Sequence, residues 1–531
     1  MAASHGYFAL VLHAHLPYVR HPEYEEFLEE DWLFEAITET YLPVLAMLYR
    51  LAADTVPFAL TISLTPTLCH MLRDPLLQER YGRYLQRLIE LARSEVARTN
   101  DDPSMCDVTR MYLDRLESCR VNWDERWRGD LVGAFAALQE RGVIEIITCA
   151  ATHGFLPLLE SSREALRAQI LVARDHYRGM FGRDPRGIWL PECAYSTSLD
   201  VVLEEAGLRW FVVDAHGLMF AAPRPRFAIY APCWTPAGPA AFARDRDSSK
   251  QVWSADYGYP GDATYRDFYR DVGFDLSEEY LQPFRGGEGP RRFTGLKYFR
   301  ITGRTAEKEP YRREQALATA DAHATHFLSE RTAQFTELRE KMDVPPIVVS
   351  AFDAELFGHW WFEGPEWLEL FIRKAAASPE AFTFTTPSDY LQVQPTAQVA
   401  VPAASSWGWG GYWEAWLDTV NAWIYPHLHV AAQRMKELAR LFASRENLSP
   451  LLDRALRQMA RELLLAQSSD WAFLMKTGTA REYATKRTKD HILRFTRLYD
   501  QARAERIDDD FLANCEWRDN VFPDLNWRYY A

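Results

Sequence analysis

The feature that most constrains this chain is a set of short apolar runs that do not alternate with polar residues. Phe8–His13, Phe58–Ser63, Ile144–Ala150, Gly187–Leu190, Trp210–Asp214, Gln251–Ser254 and Ile347–Ala351 are mostly continuous apolar stretches. A strand with one wet face alternates; a strand covered on both faces need not. Between these runs lie segments with helical spacing, among them Leu33–Ala53, Arg163–Met180, Leu199–Ala206 and Glu314–Met342. Strands separated by helices are joined by crossovers, and crossovers make parallel pairs. The sequence therefore predicts an α/β protein on a parallel sheet or barrel.

Two regions depart from this rhythm. Pro75–Arg141 carries no strand signal and reads as a helical insertion after the second strand. From about Trp413 onward strand signals nearly vanish, and Ala431–Leu441, Leu451–Leu474 and Arg481–Arg506 have helical spacing of apolar residues. A boundary near residue 400 is expected, with residues 1–400 forming the α/β body and 401–531 an all-α domain. Ala215–Lys250 is rich in Pro, Gly and Ala and predicts a long loop that could hold a hairpin; Arg285–Pro290 predicts another loop. The aromatic tail Glu516–Tyr530 is expected to pack back on the body.

Several predicted strands run straight into residues capable of chemistry. Phe8–Leu12 leads into His13 and His15, Ile144–Ala150 into His153, Gly187–Leu190 into Glu192, Trp210–Val213 into Asp214 and His216, and Ile347–Ser350 into Asp353 and Glu355. In a parallel barrel the C-terminal strand ends share one face, where active sites of such folds lie. The result is a pocket of carboxylates and imidazoles. A carboxylate pair suits glycosidic chemistry, one group attacking the sugar and the other protonating the leaving oxygen. Glu192 could instead cap the helix expected near Ser196–Ser198, and Asp353 and Glu355 compete for one role. His13 and His15, two apart on a strand, point the same way; with His153 and His216 they could bind a metal or orient a substrate. No HExxH motif is present.

Composition narrows the partners. The net charge of -14 disfavours nucleic acid and anionic membranes and suits a neutral substrate. The seven cysteines are scattered without a CxxC pair, which fits reduced thiols and a cytoplasmic protein. Met1–Gly6 lacks a basic leader region, and no stretch approaches the roughly 20 apolar residues of a membrane span. The 18 tryptophans could serve core packing or sugar stacking. The run from Ser406 to Gly411 is different: a glycine-rich loop carrying Trp407 and Trp409 is poorly built for a core and well suited to presenting a ring.

Five short segments together resemble glycoside hydrolase family 57, and within it the α-1,4-glucan branching enzymes. They are His13–Pro17, Thr152–Phe155, Trp189–Glu192, Asp353–Trp360 and Ser469–Phe473, in that order over nearly the whole chain. The resemblance implies an incomplete (β/α)7 barrel with a helical insertion and a helical C-terminal domain completing the cleft. It implies a retaining double displacement on α-1,4-glucan with no metal or organic cofactor, Glu192 as nucleophile and Asp353 as general acid/base. By the same carry-over His13, His15, His153, Trp253, Trp407, Trp416 and Asp470 are substrate-site residues. The expected outcome is an α-1,6 branch. Transfer without hydrolysis requires water to be kept out; the 215–250 loop is the expected lid, with Tyr230 at its tip. The alternatives are an α-amylase or 4-α-glucanotransferase of the same family, a metal-dependent hydrolase or deacetylase built on His13 and His15, and a non-catalytic glucan binder.

Overall fold

The computed structural model describes residues 6–254, 257–285 and 290–531. Most of the expected Arg285–Pro290 loop, and the residues before Gly6, lie outside them. The strands are β1 (Tyr7–Ala14), β2 (Leu60–Leu64), β3 (Ile144–Cys149), β4 (Gly187–Trp189), β5 (Trp210–Val213), β6 (Cys233–Trp234), β7 (Ala240–Ala243), β8 (Ile347–Asp353) and β9 (Thr383–Phe384). Among the described residues, seven lie side by side in the order β8-β1-β2-β3-β4-β5-β7, every pair parallel. The short β6 pairs antiparallel with β7, and β9 extends β1 at its start. The two ends of the row also meet. Arg244, just past β7, bridges Val349 of β8, and the Asp245 amide donates to the Val349 carbonyl at 2.8 Å. The row thus curls into a seven-stranded barrel whose seam is one bridge wide.

Residue parity sorts the strands into an inside and an outside. Ala9, Val11, Ile147, Cys149, Trp189, Trp210, Val212, Ala240, Phe242, Ile347, Val349 and Ala351 form one buried cluster, the barrel interior. Phe8, Leu10 and Leu12 pack outward against the surrounding helices. Alternate residues of a strand share a face, so the parity that turns Ala9 and Val11 inward carries His13 to the barrel mouth. The same parity runs from Ile347, Val349 and Ala351 to Asp353.

One strand was misplaced by the sequence reading. Gln251–Ser254 is not a strand; it ends the helix Arg246–Trp253. Asp245 starts that helix by accepting from the Ser248 amide at 2.8 Å, and this cap outweighs the β-propensity of Val252 and Trp253. The true seventh strand, β7, is alanine-rich and sat inside the predicted loop. It pairs parallel with β5; Ala240 and Phe242 face the interior, where Phe242 meets Trp210 edge-on at 5.9 Å, while Ala241 and Ala243 pack outward.

The expected lid is corrected with it. Residues 215–250 hold the helix Ala215–Met219, the β6–β7 hairpin and the first turns of the next helix. Tyr230 is half-buried at the wrong end of the barrel for a lid. Its carbonyl accepts from the amide of Ile347 at 2.9 Å, and its hydroxyl meets Gln334 at 3.4 Å. Ile347 begins β8 and Asp353 ends it, about 20 Å apart at the usual rise per residue.

The insertion folds as the helices Pro75–Arg98, Cys106–Val121 and Leu131–Glu140. The C-terminal region holds Ile424–Phe442, Pro450–Ala466, Ser469–Thr477, Arg481–Arg503 and Asp509–Arg518. The periodic run Leu451–Leu474 is thus broken in two. The break at Gln467–Ser468 is held from the barrel side, where Thr152 donates to the Leu464 carbonyl and Gln169 bonds Gln467 at 3.1 Å. It turns Ser469 and Asp470 toward the barrel mouth.

Candidate active site

Three side chains at the barrel mouth sit on strained backbone. His153, Glu192 and Cys193 have φ of 56°, 64° and 50°. Non-glycine residues pay for this left-handed region, and such strain persists where the surroundings over-determine it. Pro191 opens a tight turn, Pro191–Cys193, inside which the Glu192 backbone is non-helical. The next helix starts at Leu199, so Glu192 is not its cap.

Glu192 is held on both oxygens. Trp407 Nε1–H donates to Oε2 at 2.7 Å and Ser469 Oγ–H to Oε1 at 3.2 Å. The Trp407 amide also donates to the Glu192 carbonyl at 2.9 Å. The segment carrying Trp407 runs along the strand ends: Ser405 pairs with Tyr195, and the Ala403 amide donates to the Gly217 carbonyl. The Trp407 ring meets Trp189 edge-on at 5.0 Å, and the Arg244 guanidinium lies 5.3 Å over it.

The imidazoles form a packed stack. His13 lies on Trp189 with centroids 4.9 Å apart, and His15 on His153 at 3.8 Å. His13 Nε2 meets His153 Nε2 at 3.0 Å, and His13 Nδ1 meets Ser63 Oγ at 3.2 Å. His15 Nε2 bonds Asp470 at 3.1 Å and its Nδ1 bonds Thr65 at 3.1 Å. His216 is not part of this group; Asp214 at 3.0 Å and the Gly411 carbonyl at 2.8 Å take both its nitrogens. The nitrogens of His15 and His153 with an Asp470 oxygen, or of His13 and His153 with the Cys149 sulfur, are close enough to surround an ion.

The carboxylates are differently placed. The Asp353 carboxylate has no hydrogen-bond partner among the described residues. Burial, then the charges of Glu355 and Glu192, push its carboxyl up to about 8. Glu355 accepts from Tyr41 Oη at 2.5 Å and from the His15 amide at 3.1 Å. Burial pushes Glu355 up to about 7 against these donors. Burial also pushes Glu192 up to about 7, with the Trp407 donor pulling it back. For Asp470 burial acts upward, but the His15 imidazole outweighs it and holds the carboxyl at about 2. Burial drives His13 and His153 well below the usual imidazole range, each reinforced by its histidine neighbours, so both are neutral near pH 7.

The site therefore offers one carboxylate cradled by two donors, one buried carboxyl without a donor, and a wall of imidazoles and indoles. The profile described as glycosyl hydrolase family 57 matches residues 9–403, three quarters of the chain and nearly all of the barrel. The chain belongs to glycosyl hydrolase family 57. A second profile, 1,4-alpha-glucan branching enzyme, C-terminal, matches residues 427–530. A 1,4-alpha-glucan branching enzyme of Thermococcus kodakarensis is 34% identical over 97% of this chain and 77% of its own length. A probable 1,4-alpha-glucan branching enzyme of Mycobacterium tuberculosis is 30% identical over 92% and 90%. Among solved structures, AmyC of Thermotoga maritima, described as a novel alpha-amylase, superposes with a TM-score of 0.91 at 44% identity, covering 99% of both chains. The family 57 branching enzyme of Pyrococcus horikoshii gives 0.87 at 34% identity, covering 99% and 97%.

Within this family 57 site, His13, His15, His153, Glu192, Asp353, Trp407 and Asp470 come together. The two other expected tryptophans are placed differently. Trp416 is 2% exposed and stacks on Phe155 at 4.5 Å, beneath Gly408 of the Trp407 loop. Trp253 is 63% exposed at a helix end and makes no ring contact among the described residues. Ser469, Tyr41 and Arg244 are residues that strand-end reasoning missed. Ser469 opens the Ser469–Phe473 segment but was given no role there; nothing in the sequence marks the other two.

Proposed function

We propose that this family 57 chain is a 1,4-α-glucan branching enzyme working by double displacement, with Glu192 as nucleophile and Asp353 as general acid/base. One observation carries the division of roles. Among the described residues, two hydrogen-bond donors converge on Glu192 and none on Asp353. Donors favour the ionised form and burial the neutral one, so a single proton shared by the pair rests on Asp353. Glu355, which could have rivalled it, is already committed to Tyr41 and the His15 amide.

An α-1,4-glucan lies across the barrel mouth. Asp353 gives its proton to the scissile glycosidic oxygen as a Glu192 oxygen bonds the anomeric carbon, and the C1–O bond breaks. The reducing-end fragment leaves, and the donor segment stays as an ester of Glu192. Asp353, now a carboxylate, takes the proton of a 6-hydroxyl on an acceptor chain. That oxygen displaces Glu192 and closes an α-1,6 linkage. Two inversions at one carbon retain its configuration. His13, His15 and Trp407 line the cleft that orients the sugar, and Asp470, from the C-terminal helices, fixes His15. The match of residues 427–530 to the branching-enzyme C-terminal profile supports transfer to a sugar over transfer to water.

The likeness to AmyC keeps an α-amylase as the second reading. Incubation with linear amylose separates them. A branching enzyme fades the iodine stain with few new reducing ends and leaves α-1,6 linkages; abundant reducing ends without such linkages would refute it.

A further inference from the structure

The Ser469 hydroxyl closes a continuous line of hydrogen bonds that ends on Glu192. The line runs Ser63 Oγ to His13 Nδ1 at 3.2 Å and His13 Nε2 to His153 Nε2 at 3.0 Å. It continues from His153 Nδ1 to Ser469 Oγ at 2.8 Å and from Ser469 Oγ to Glu192 Oε1 at 3.2 Å. His13, His153, Ser63 and Ser469 are all buried, so water does not compete for these groups.

The direction of every proton follows from the last link. An ionised carboxylate only accepts, so the one hydrogen of Ser469 points to Glu192. Ser469 must then accept from His153 Nδ1–H. A neutral imidazole carries one hydrogen, so His153 Nε2 is an acceptor and takes the His13 Nε2–H. His13 Nδ1 is then an acceptor too and receives the Ser63 hydroxyl hydrogen. Four groups donate one way to the fifth, Glu192, each of the five from a separate segment, and bonds aligned in series polarise one another.

We infer that Ser469 is a positioning residue. Its hydroxyl terminates a one-way hydrogen-bond relay, Ser63 to His13 to His153 to Ser469, that keeps Glu192 ionised and fixes the tautomers of both histidines. The inference rests on the reading of Glu192 as nucleophile. It also gives the C-terminal helices a second task beside Asp470: without the chain break at Gln467–Ser468, the relay would have no last member. The backbone already secures the position, since the Ser469 amide donates to the His153 carbonyl at 3.0 Å and Ser468 bridges Gly154. The hydroxyl is therefore not needed to place the helix.

Other charged or titratable groups face Glu192 from the surrounding elements. They are His15 just past β1, Asp470 beside Ser469 and Asp353 at the end of β8; Glu355 and Arg244 act on Asp353 in turn, and Arg244 with Asp214 on the neighbouring Cys193. None of them is altered by Ser469→Ala, which makes the variant a clean probe. In Ser469→Ala the acidic limb of the kcat/KM profile should move up by roughly one to two pH units, the effect of losing one charge-assisted bond. Ser469→Thr, which keeps the hydroxyl, should restore the limb. A limb that stays in place in Ser469→Ala would overturn the inference, whatever happens to the maximal rate.

The wild-type tautomers give a second readout that needs no variant. Imidazole nitrogen shifts in 15N-histidine-labelled enzyme should show hydrogen on Nε2 of His13 and on Nδ1 of His153; the reverse pattern would break the relay. Glu192→Gln separates the two levels. Near-normal turnover in that variant overturns the nucleophile itself. An inactive Glu192→Gln with an unmoved Ser469→Ala limb overturns only the relay.

Discussion

Replacing Trp407 by Phe removes the indole N–H and part of the ring while keeping an aromatic side chain. The phenyl ring can still meet Trp189, which lies 5.0 Å away, and the Trp407 amide still donates to the Glu192 carbonyl. What is lost is the Nε1–H donor on Glu192 Oε2 at 2.7 Å. A hydrogen bond to a charged group contributes about 1.5–3 kcal/mol. At 1.36 kcal/mol per tenfold in rate, kcat/KM should fall about 10- to 150-fold if the bond is used in reaching the transition state. The same loss removes the main force opposing burial at Glu192, so the acidic limb of the pH profile should rise along with the fall in rate. The assay is initial-rate branching of amylose from pH 4 to 9, with thermal unfolding to confirm an intact fold. A variant within about twofold of wild type at every pH would refute the role given to the indole.

Asp353→Asn should lower kcat on amylose by about 10²–10⁴-fold, the usual worth of a general acid, while formation of the glycosyl-enzyme from an activated α-glycosyl fluoride, which needs no protonation, suffers far less; equal losses on both would contradict the assignment. A general acid works only while protonated, so with the Asp353 carboxyl near 8 the rate should fall as pH rises through that region. Glu355→Gln removes one of the charges that raise Asp353, so this basic limb should move to lower pH; a shift upward would mean Glu355 acts otherwise. Tyr230→Ala should leave the ratio of transfer to hydrolysis unchanged and cost about 2 kcal/mol of stability as a half-buried aromatic; altered partitioning would restore Tyr230 to the mouth of the site.

The barrel was legible because six of its seven parallel strands are continuous apolar runs, and period and burial agree there. The seventh, Ala240–Ala243, was hidden because alanine has little β-propensity and the run lies in a Pro-, Gly- and Ala-rich stretch; its pairing with β5 is what makes it a strand. The carboxylates were legible for a related reason: strand parity carries Asp353, and with it His13, to the barrel mouth. Choosing Asp353 over Glu355 was not possible from the residues alone. The difference lies in which donors reach each group, and Tyr41 arrives from a helix more than 300 positions away in sequence. Tyr230 and Trp416 show the opposite error. Each sits in a segment with the composition of a functional loop, yet tertiary packing drew one to the far end of β8 and the other under Phe155. The break at Gln467–Ser468 left the apolar period intact, so Leu451–Leu474 read as one helix.

The most direct test of the chemistry is to trap its covalent intermediate. Treatment with a fluorinated α-glucosyl fluoride that slows breakdown of the ester, followed by peptide mapping in a mass spectrometer, locates the attached sugar. The sugar is expected on the peptide containing Glu192, at that residue, and absent from Glu192→Gln. Attachment at Asp353 or Glu355 instead, or none while the reagent is turned over, would contradict the assignment of the nucleophile.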